Sequence, residues 1–158
     1  MNQVTQIKRW FEQAVPSPTS KNVHTQLGVH FEEVAEMLSA LKDAGSTFPI
    51  REQLSFAHDV VSFAQRQLKA QSKGVEIELK DLNRVELLDS LCDQIVTAIG
   101  VAHMLQLDIE SALQEVADSN DSKFGPDGKP IFNEQLKIVK GPNYFAPDLS
   151  RYIGEKEQ

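Results

Sequence analysis

The stretch His30–Leu38 reads HFEEVAEML and carries three glutamates within five positions. Its apolar residues recur at the three- and four-residue spacing of an amphipathic helix. Because residues three or four apart share one helical face, Glu33 and Glu36 are expected to project in the same direction. The stretch therefore predicts a helix with an acidic row beside the apolar stripe that it must bury.

A second stretch, Glu86–Asp93, reads ELLDSLCD and has the same character. Glu86, Asp89 and Asp93 lie at i, i+3 and i+7, so one helical face carries all three. The adjacent apolar stripe consists of Val85, Leu88, Cys92, Ile95 and Ile99. Cys92 is expected to be a small buried residue of this stripe. Two acidic rows at the rim of a core are thus the feature that organises the chain.

Acidic rows of this kind indicate a cation site. Like charges in a partly desolvated place repel one another unless a cation or a proton neutralises them. No cysteine or histidine stands at the spacing of a zinc site, and all-oxygen ligation favours Mg²⁺, with Mn²⁺ as a second choice. The alternative is a solvated acidic face that binds nothing.

The pattern Glu32-Glu33-x-x-Glu36, followed by Glu86-x-x-Asp89, resembles a family signature. It is similar to the EExxE…ExxD motif of the all-α nucleoside triphosphate (NTP) pyrophosphohydrolases, the MazG-like and dimeric dUTPase-like superfamily. The resemblance implies that the carboxylates hold Mg²⁺ and that an NTP is cleaved between its α- and β-phosphates, giving NMP and pyrophosphate.

On this resemblance Glu33, Glu36, Glu86 and Asp89 are the expected metal ligands. Asp93 is a further candidate, because the spacer before the second motif is longer than in the simplest members and leaves open which acids fill the metal positions. Glu32, or a neighbouring carboxylate, is the candidate catalytic base that accepts the proton of the attacking water.

Residues 115–148 carry a second resemblance. The matching pieces are Glu115-Val116, Ser119-Asn120, Ser122-Lys123-Phe124, Asp127-Gly128-Lys129-Pro130, Lys140-Gly141-Pro142-Asn143-Tyr144-Phe145 and Pro147-Asp148. They resemble the EV…SN.SKF…DGKP…KGPNYFxPD ending of a phosphoribosyl-ATP pyrophosphohydrolase-like branch of the same superfamily. The two motifs together span nearly the whole chain, in the order in which the family has them.

The candidate substrate-binding residues follow from this segment. Lys123 and Lys140 are expected to contact phosphate oxygens, Asn120 to hydrogen-bond the sugar or base, and Tyr144 to stack on the base. A Gly/Pro-rich loop with spaced lysines suits closure over an anion. A packed arm at a dimer interface is the alternative, and both roles are compatible.

The spacing of apolar residues, together with the glycines and prolines that end helices, predicts five helices in an all-α bundle with an irregular C-terminal arm. The predicted helices cover residues 2–14, 22–44, 51–73 and 81–105, and a fifth runs from the N-cap Asp108 to about 122, with an extended connector at 75–80. The chain is expected to be a single domain over residues 1–158, with a core of about 22–122 and an arm of 123–158 that binds nucleotide or forms a dimer.

The fourth helix is expected to be central, because almost every residue from Ile95 to Leu105 is apolar or small. Its apolar surface exceeds what one chain of this length covers comfortably. The sequence therefore predicts an oligomer, a homodimer or homotetramer, with this helix near the interface.

Charge and composition exclude several classes of function. The net charge is −7, and residues 24–122 carry 17 acids against 7 bases, which argues against wrapping duplex nucleic acid. No long apolar run and no signal peptide pattern occur, so no membrane partner and a cytoplasmic location are expected. The hypothesis is an Mg²⁺-dependent NTP pyrophosphohydrolase; the alternatives are a phosphoribosyl-ATP pyrophosphohydrolase and a non-enzymatic helical module that binds a metal or a partner.

Overall fold

The computed structural model describes residues 2–45, 47–71, 77–133 and 138–154. Five α-helices lie in these ranges: α1 (Gln3–Ala14), α2 (Ser20–Asp43), α3 (Ile50–Ala70), α4 (Arg84–Met104) and α5 (Ile109–Asp121), with 3-10 turns at Leu79–Asp81 and Leu149–Tyr152. The extended pairing found there is an isolated antiparallel bridge between Phe132 and Ile138. The prediction of an all-α fold with an irregular C-terminal arm is confirmed.

Side-chain caps mark where α1, α2, α4 and α5 begin. Thr19 forms a capping box with Asn22, so α2 begins at Ser20, before the predicted start. Asn83 accepts a hydrogen bond from the backbone N–H of Glu86, and α4 consequently begins at Arg84 rather than near residue 81. The predicted cap Asp108 is confirmed, since its side chain accepts from the backbone N–H of Ser111.

The end of α3 differs from the prediction. The helix stops at Ala70, where Gln71 adopts a left-handed conformation with φ of 49° and its N–H still bonds back to Gln67. The predicted end near residue 73 lies outside the described residues, as does the beginning of the predicted connector at 75–80. The described end of that connector includes the 3-10 turn Leu79–Asp81.

The chain divides into two compact units. The hairpin unit is Ser17–Leu82 and contains α2 and α3; the tail unit is Met1–Pro16 together with Asn83–Gln158 and contains α1, α4 and α5. The single-domain organisation stays a prediction.

In the hairpin unit α2 and α3 pack side by side and run in opposite directions. Gln71 donates to Thr25 at 3.0 Å, and further along α2 Gln65 donates to Glu32 at 3.1 Å. Gly28 is buried at the contact, where an added Cβ would lie 3.1 Å from the carbonyl oxygen of Gln65. A glycine at this position therefore lets the two helices approach closely.

In the tail unit a polar network joins α1 to α5. The side-chain amide of Gln6 is buried and donates to Asp118 at 2.8 Å and to Asp121 at 3.0 Å, and Gln114 donates back to Gln6 at 2.9 Å. Arg9 adds an ion pair with Asp121 at 2.8 Å. A buried amide with its bonds satisfied holds the two helices in one register.

The packing surface of α1 includes a polar residue that apolar periodicity does not indicate. Val4 is 66% exposed and Phe11 is 38% exposed, whereas Gln6 and Ala14 are buried. Because the carboxylates of α5 attract the amide of Gln6, the helix turns that polar position inward.

The prediction that α4 is a central, covered helix is wrong for the single chain. Leu88, Val96 and Met104 are 63%, 65% and 79% exposed, and Cys92, expected to be buried, is exposed. Ala102 is the buried residue of the helix. A high content of apolar residues suits a helix to burial, but the described residues of the single chain do not bury α4. No described helix is both long and apolar enough to span a membrane.

Candidate functional site

The three glutamates of α2 face different surroundings. Glu32 is half-buried and both of its carboxylate oxygens are engaged, one by the amide of Gln65 and the other by the ammonium of Lys69. Glu33 and Glu36 are exposed and make no hydrogen bond or ion pair with any described residue. The free oxygens of Glu33 and Glu36 are therefore available to a ligand, while those of Glu32 hold the α2–α3 hairpin.

A groove of about 360 Å³ lies between α2 and α3. Its polar lining is Glu32, Glu36 and Ser39 from α2 and His58, Ser62, Gln65 and Arg66 from α3. One wall thus offers carboxylates, and the other offers hydroxyl, amide, imidazole and guanidinium groups. Such a groove suits a ligand that carries both a cation and an anion.

On the α3 wall, His58 is held by its neighbours along the helix. Its Nδ1 lies 3.1 Å from a carboxylate oxygen of Asp59, and its Nε2 lies 3.4 Å from the hydroxyl of Ser62. Both ring nitrogens of His58 thus face neighbours on the same helix, which holds the imidazole on the α3 wall.

The second acidic row belongs to α4 of the tail unit. Glu86, Asp89 and Asp93 are all exposed, so the desolvated rim that the sequence predicts for them is not found in the single chain. Glu86 lies in the first turn of α4, where the positive end of the helix dipole stabilises a negative charge. This placement gives Glu86 a structural role besides the predicted metal role.

The described residues contain no group of three or more His, Cys, Asp or Glu side chains placed to hold a metal ion. The donors themselves fit a hard cation, because Glu33 and Glu36 present unengaged carboxylate oxygens one helical turn apart. Mg²⁺ commonly takes one or two protein carboxylates and completes its shell with water and phosphate oxygens. The larger set that includes Glu86, Asp89 and Asp93 is divided between the two units and stays a prediction.

The predicted substrate residues Asn120 and Lys123 lie together at the end of α5, Asn120 in its last turn and Lys123 just after it. The ammonium of Lys123 donates to the side-chain oxygen of Asn120 at 2.7 Å and lies 5.9 Å from the centre of the Trp10 ring. Trp10 itself stacks on Phe124 at 5.7 Å and donates to the carbonyl of Asn120 at 2.8 Å. Both predicted residues are thus fixed by an aromatic pair that anchors α1.

The other predicted substrate residues, Lys140 and Tyr144, lie on the adjoining segment. The ammonium of Lys140 is 4.3 Å from the centre of the Tyr144 ring, a cation–π distance. The backbone N–H of Gly141 donates to the carbonyl of Lys123 at 3.0 Å, which brings this segment against the first pair. The structure therefore gathers all four predicted residues in neighbouring segments of the tail unit.

Gly141 also explains part of the KGPNY motif. An added Cβ there would lie 2.5 Å from the carbonyl oxygen of Phe124 and 2.8 Å from that of Lys123. Both are backbone atoms that cannot swing aside, so only glycine fits where the two segments cross. This residue keeps the motif in place whatever the motif binds.

A cluster around Glu115 was not anticipated from the sequence. The phenol of Tyr152 and the guanidinium of Arg151 each lie 2.6 Å from one carboxylate oxygen of Glu115, and the backbone N–H of Asp148 donates to the other. The hydrogen bond from Tyr152, followed by that from Asp148, holds the pKa of Glu115 below its ordinary value. The same bond to Glu115 raises the pKa of Tyr152.

A larger cavity of about 620 Å³ lies beside this cluster in the tail unit. Its charged lining residues are Glu110, Glu115, Asp118, Asp148 and Arg151. The guanidinium of Arg151 is already paired with Glu115, so the net charge of the lining is negative. The groove between α2 and α3 is the better candidate despite its smaller volume, because it contains the predicted Glu32 and Glu36 together with Arg66, whereas the cation of the larger cavity is paired with Glu115.

No protein-family model matches the chain, and no curated protein matches it. Among solved structures it is similar to a protein from Exiguobacterium sp. 255-15 described as a "putative NTP pyrophosphohydrolase", with a TM-score of 0.58. The two are 21% identical, and the similarity covers 93% of this chain and 89% of the other. At this identity the similarity shows a shared fold over nearly the whole chain.

Proposed function

We propose that the protein is an Mg²⁺-dependent NTP pyrophosphohydrolase that cleaves between the α- and β-phosphates. The observation that carries the proposal is the groove of the hairpin unit, where the exposed carboxylate of Glu36 and the donors of α3 line the same space. The description of the Exiguobacterium protein, which shares the fold, supports the same reaction class.

The proposed metal ligands are Glu33 and Glu36 on α2 and Glu86 and Asp89 on α4, with Asp93 as a further candidate. When bound, Mg²⁺ would neutralise phosphate charge and polarise the attacked phosphorus centre. Mn²⁺ offers the same chemistry with the same oxygen donors. The exposure of all five carboxylates leaves their oxygens accessible to such an ion.

The reaction is a hydrolysis at the α-phosphorus. The oxygen of a water molecule forms a bond to that phosphorus, and the bond to the oxygen that bridges the α- and β-phosphates breaks. The electron pair of the broken bond leaves with pyrophosphate, and the water proton passes to a nearby base. The proposed base is Glu32 or a neighbouring carboxylate. Both oxygens of Glu32 accept from Gln65 and Lys69, so Glu32 would release one of these hydrogen bonds to take the proton.

The tail unit would supply contacts to the rest of the nucleotide. Lys123 and Lys140 carry the positive charge proposed to meet phosphate oxygens, and Asn120 and Tyr144 are proposed to bind the sugar or base. Lys140 already rests over the face of Tyr144, so binding of a base on that face would require the ammonium to move off the ring.

A second copy of the chain is proposed to cover α4 in a homodimer or homotetramer. Ile95, Val96 and Ile99 are 57%, 65% and 50% exposed, a continuous apolar surface on one helix. Monomeric proteins rarely leave large contiguous apolar patches exposed. A stable association of this kind would bury on the order of 2,000 Å² in total.

The deciding experiment incubates the purified protein with Mg²⁺ and a panel of nucleotides that includes dUTP, dCTP, common and modified NTPs and phosphoribosyl-ATP. Release of pyrophosphate together with the matching NMP from an NTP is the expected result. Turnover of phosphoribosyl-ATP alone would instead favour the phosphoribosyl-ATP pyrophosphohydrolase. No release from any nucleotide would overturn the enzymatic function and favour a binding module.

A further inference from the structure

The two walls of the groove in the hairpin unit differ in charge. The α2 wall presents the carboxylates of Glu32 and Glu36, and the α3 wall presents Ser62 and Arg66 one helical turn apart. Residues at i and i+4 project to the same side of a helix, so the hydroxyl and the guanidinium open onto the same space. The α3 wall has no part in the metal site proposed above.

Arg66 is distinguished from the neighbouring cation by its lack of a partner. Lys69 is paired with Glu32 across the α2–α3 contact. Arg66 is exposed, lines the groove, and makes no hydrogen bond or ion pair with any described residue. An arginine that faces two glutamates yet pairs with neither retains all of its donors for a ligand.

The chemistry of a guanidinium limits what that ligand is. It stays positively charged at every physiological pH and offers a planar fork of N–H donors that matches the oxygens of a phosphate. Phosphate oxygens meet the carboxylates of the α2 wall only through a bound cation, whereas in this groove of about 360 Å³ they can pair directly with Arg66 on the α3 wall.

We infer that Arg66, assisted by the hydroxyl of Ser62, binds the β- and γ-phosphates that leave the substrate as pyrophosphate. The inference rests on the proposed function, because it assigns the leaving end of the triphosphate to the α3 wall while the α-phosphate faces the carboxylates of α2. Arg66 neutralises the charge that develops on pyrophosphate as the bond breaks.

The test measures binding of pyrophosphate with Mg²⁺ to the full chain by isothermal titration calorimetry. Arg66→Ala is expected to weaken binding about ten- to hundredfold, since a hydrogen-bonded charge is lost. Arg66→Lys, which keeps the charge but loses the fork, should lie between Arg66→Ala and the wild type. The matched control is Arg51→Ala, an exposed arginine of the same helix that does not line the groove, and its affinity should stay within about twofold of the wild type.

The inference is overturned if the wild type binds no pyrophosphate, or if Arg66→Ala binds it as tightly as Arg51→Ala does. Circular dichroism shows whether both variants keep the helical fold. The nucleotide panel judges the proposed function separately: hydrolysis with pyrophosphate affinity that does not depend on Arg66 removes only this inference. Arg66-dependent affinity without hydrolysis supports the anion-binding wall and removes the enzymatic proposal.

Discussion

Glu36 and Glu115 are both glutamates on amphipathic helices, yet the structure treats them in opposite ways. Glu115, whose side chain is 11% exposed, accepts hydrogen bonds from Tyr152, Arg151 and the backbone of Asp148. Glu36 is exposed at the edge of a groove and accepts from no described residue. The first carboxylate is engaged within the fold, and the second keeps its oxygens unengaged by described residues.

The comparison shows that an acidic pattern does not by itself identify a metal site. A carboxylate whose lone pairs are satisfied by protein donors contributes to stability, and its removal should mainly affect folding. A carboxylate without such donors contributes little to stability and repels its neighbours, so its removal should mainly affect binding and turnover. The predictions below test this division, beginning with the largest expected effect.

The first prediction concerns the unengaged carboxylates. Glu36→Gln or Asp89→Asn should lower turnover by at least about a thousandfold, because loss of a metal ligand removes several kcal/mol of charge stabilisation and each factor of ten is about 1.4 kcal/mol. The stability without metal should stay level or rise, since repulsion between carboxylates is relieved. Pyrophosphate release and urea unfolding measure the two effects.

The control for this substitution is Glu52→Gln, an exposed glutamate in the first turn of α3 that does not line the groove. It should keep its activity within about twofold of the wild type. Full Mg²⁺-dependent activity in both Glu36→Gln and Asp89→Asn would remove the metal assignment and, with it, the contrast between Glu36 and Glu115.

The second prediction extends the contrast from polar groups to apolar ones on α4. Val96→Lys should weaken self-association by about a hundredfold, because an interface that buries an ammonium without a partner costs several kcal/mol. Sedimentation velocity at micromolar concentration should show an oligomer for the wild type and a shift toward monomer for the variant. A monomeric wild type would contradict the proposed assembly.

The third prediction compares Gly141, which is in close contact with backbone carbonyls, with Gly100, which lies on an open helix surface. Gly141→Ala should destabilise the protein by about 1–3 kcal/mol, because its Cβ would overlap backbone carbonyls. Gly100→Ala is the matched variant: nothing lies within 4 Å of its added Cβ, and it should stabilise α4 by roughly 0.5–1 kcal/mol. Chemical unfolding gives both values. A destabilised Gly100→Ala would indicate close packing of α4 against a second copy.

The fourth prediction uses the pKa of Glu115, which lies below its ordinary value of 4.5 mainly through the hydrogen bond from Tyr152. A lowered pKa means that the carboxylate stabilises the fold above about pH 4.5 and that this contribution is lost as the pH falls through the lower folded-state pKa. Glu115→Gln should therefore be less stable than the wild type at neutral pH. The difference between their free energies of unfolding should narrow as the pH falls.

Tyr152 determines the alkaline side of the same dependence of stability on pH. Its pKa lies above its ordinary value of 10.0 through the bond to Glu115, so its contribution is present below about pH 10 and is lost as the pH rises through the raised value. Glu110→Gln, on an exposed position of the same helix, is the control and should lower the stability at neutral pH less than Glu115→Gln does. A gap between Glu115→Gln and the wild type that does not change with pH would contradict this account.

Local signals predicted the helices well and their ends less well. Asp108 was identified as a cap because its side chain needs only the backbone N–H of Ser111, three residues on. Thr19 follows the same rule, although the predicted start of α2 at residue 22 lies two residues beyond the observed start at Ser20. Such interactions span a single turn and leave a visible pattern in the sequence.

The partners of the acidic residues left no such pattern. Glu32 meets Lys69, and Glu115 meets Tyr152, each across 37 positions of sequence. Periodicity places Glu32 and Glu115 on helices but does not say which donor faces them. The sequence pattern likewise does not single out Arg66 as a ligand-binding candidate, because only the packing of α3 along α2 places it in the groove.

The sequence by itself determined the all-α class, the five helices, and the positions of the acidic and KGPNY motifs, because these depend on interactions within a few residues. Only the tertiary structure decided that Glu115 is engaged while Glu36 is free, that Gly141 admits no Cβ, and that α4 lies uncovered in the single chain. Those outcomes depend on which distant segments contact one another, and the pattern of apolar and charged residues along the sequence does not specify those contacts.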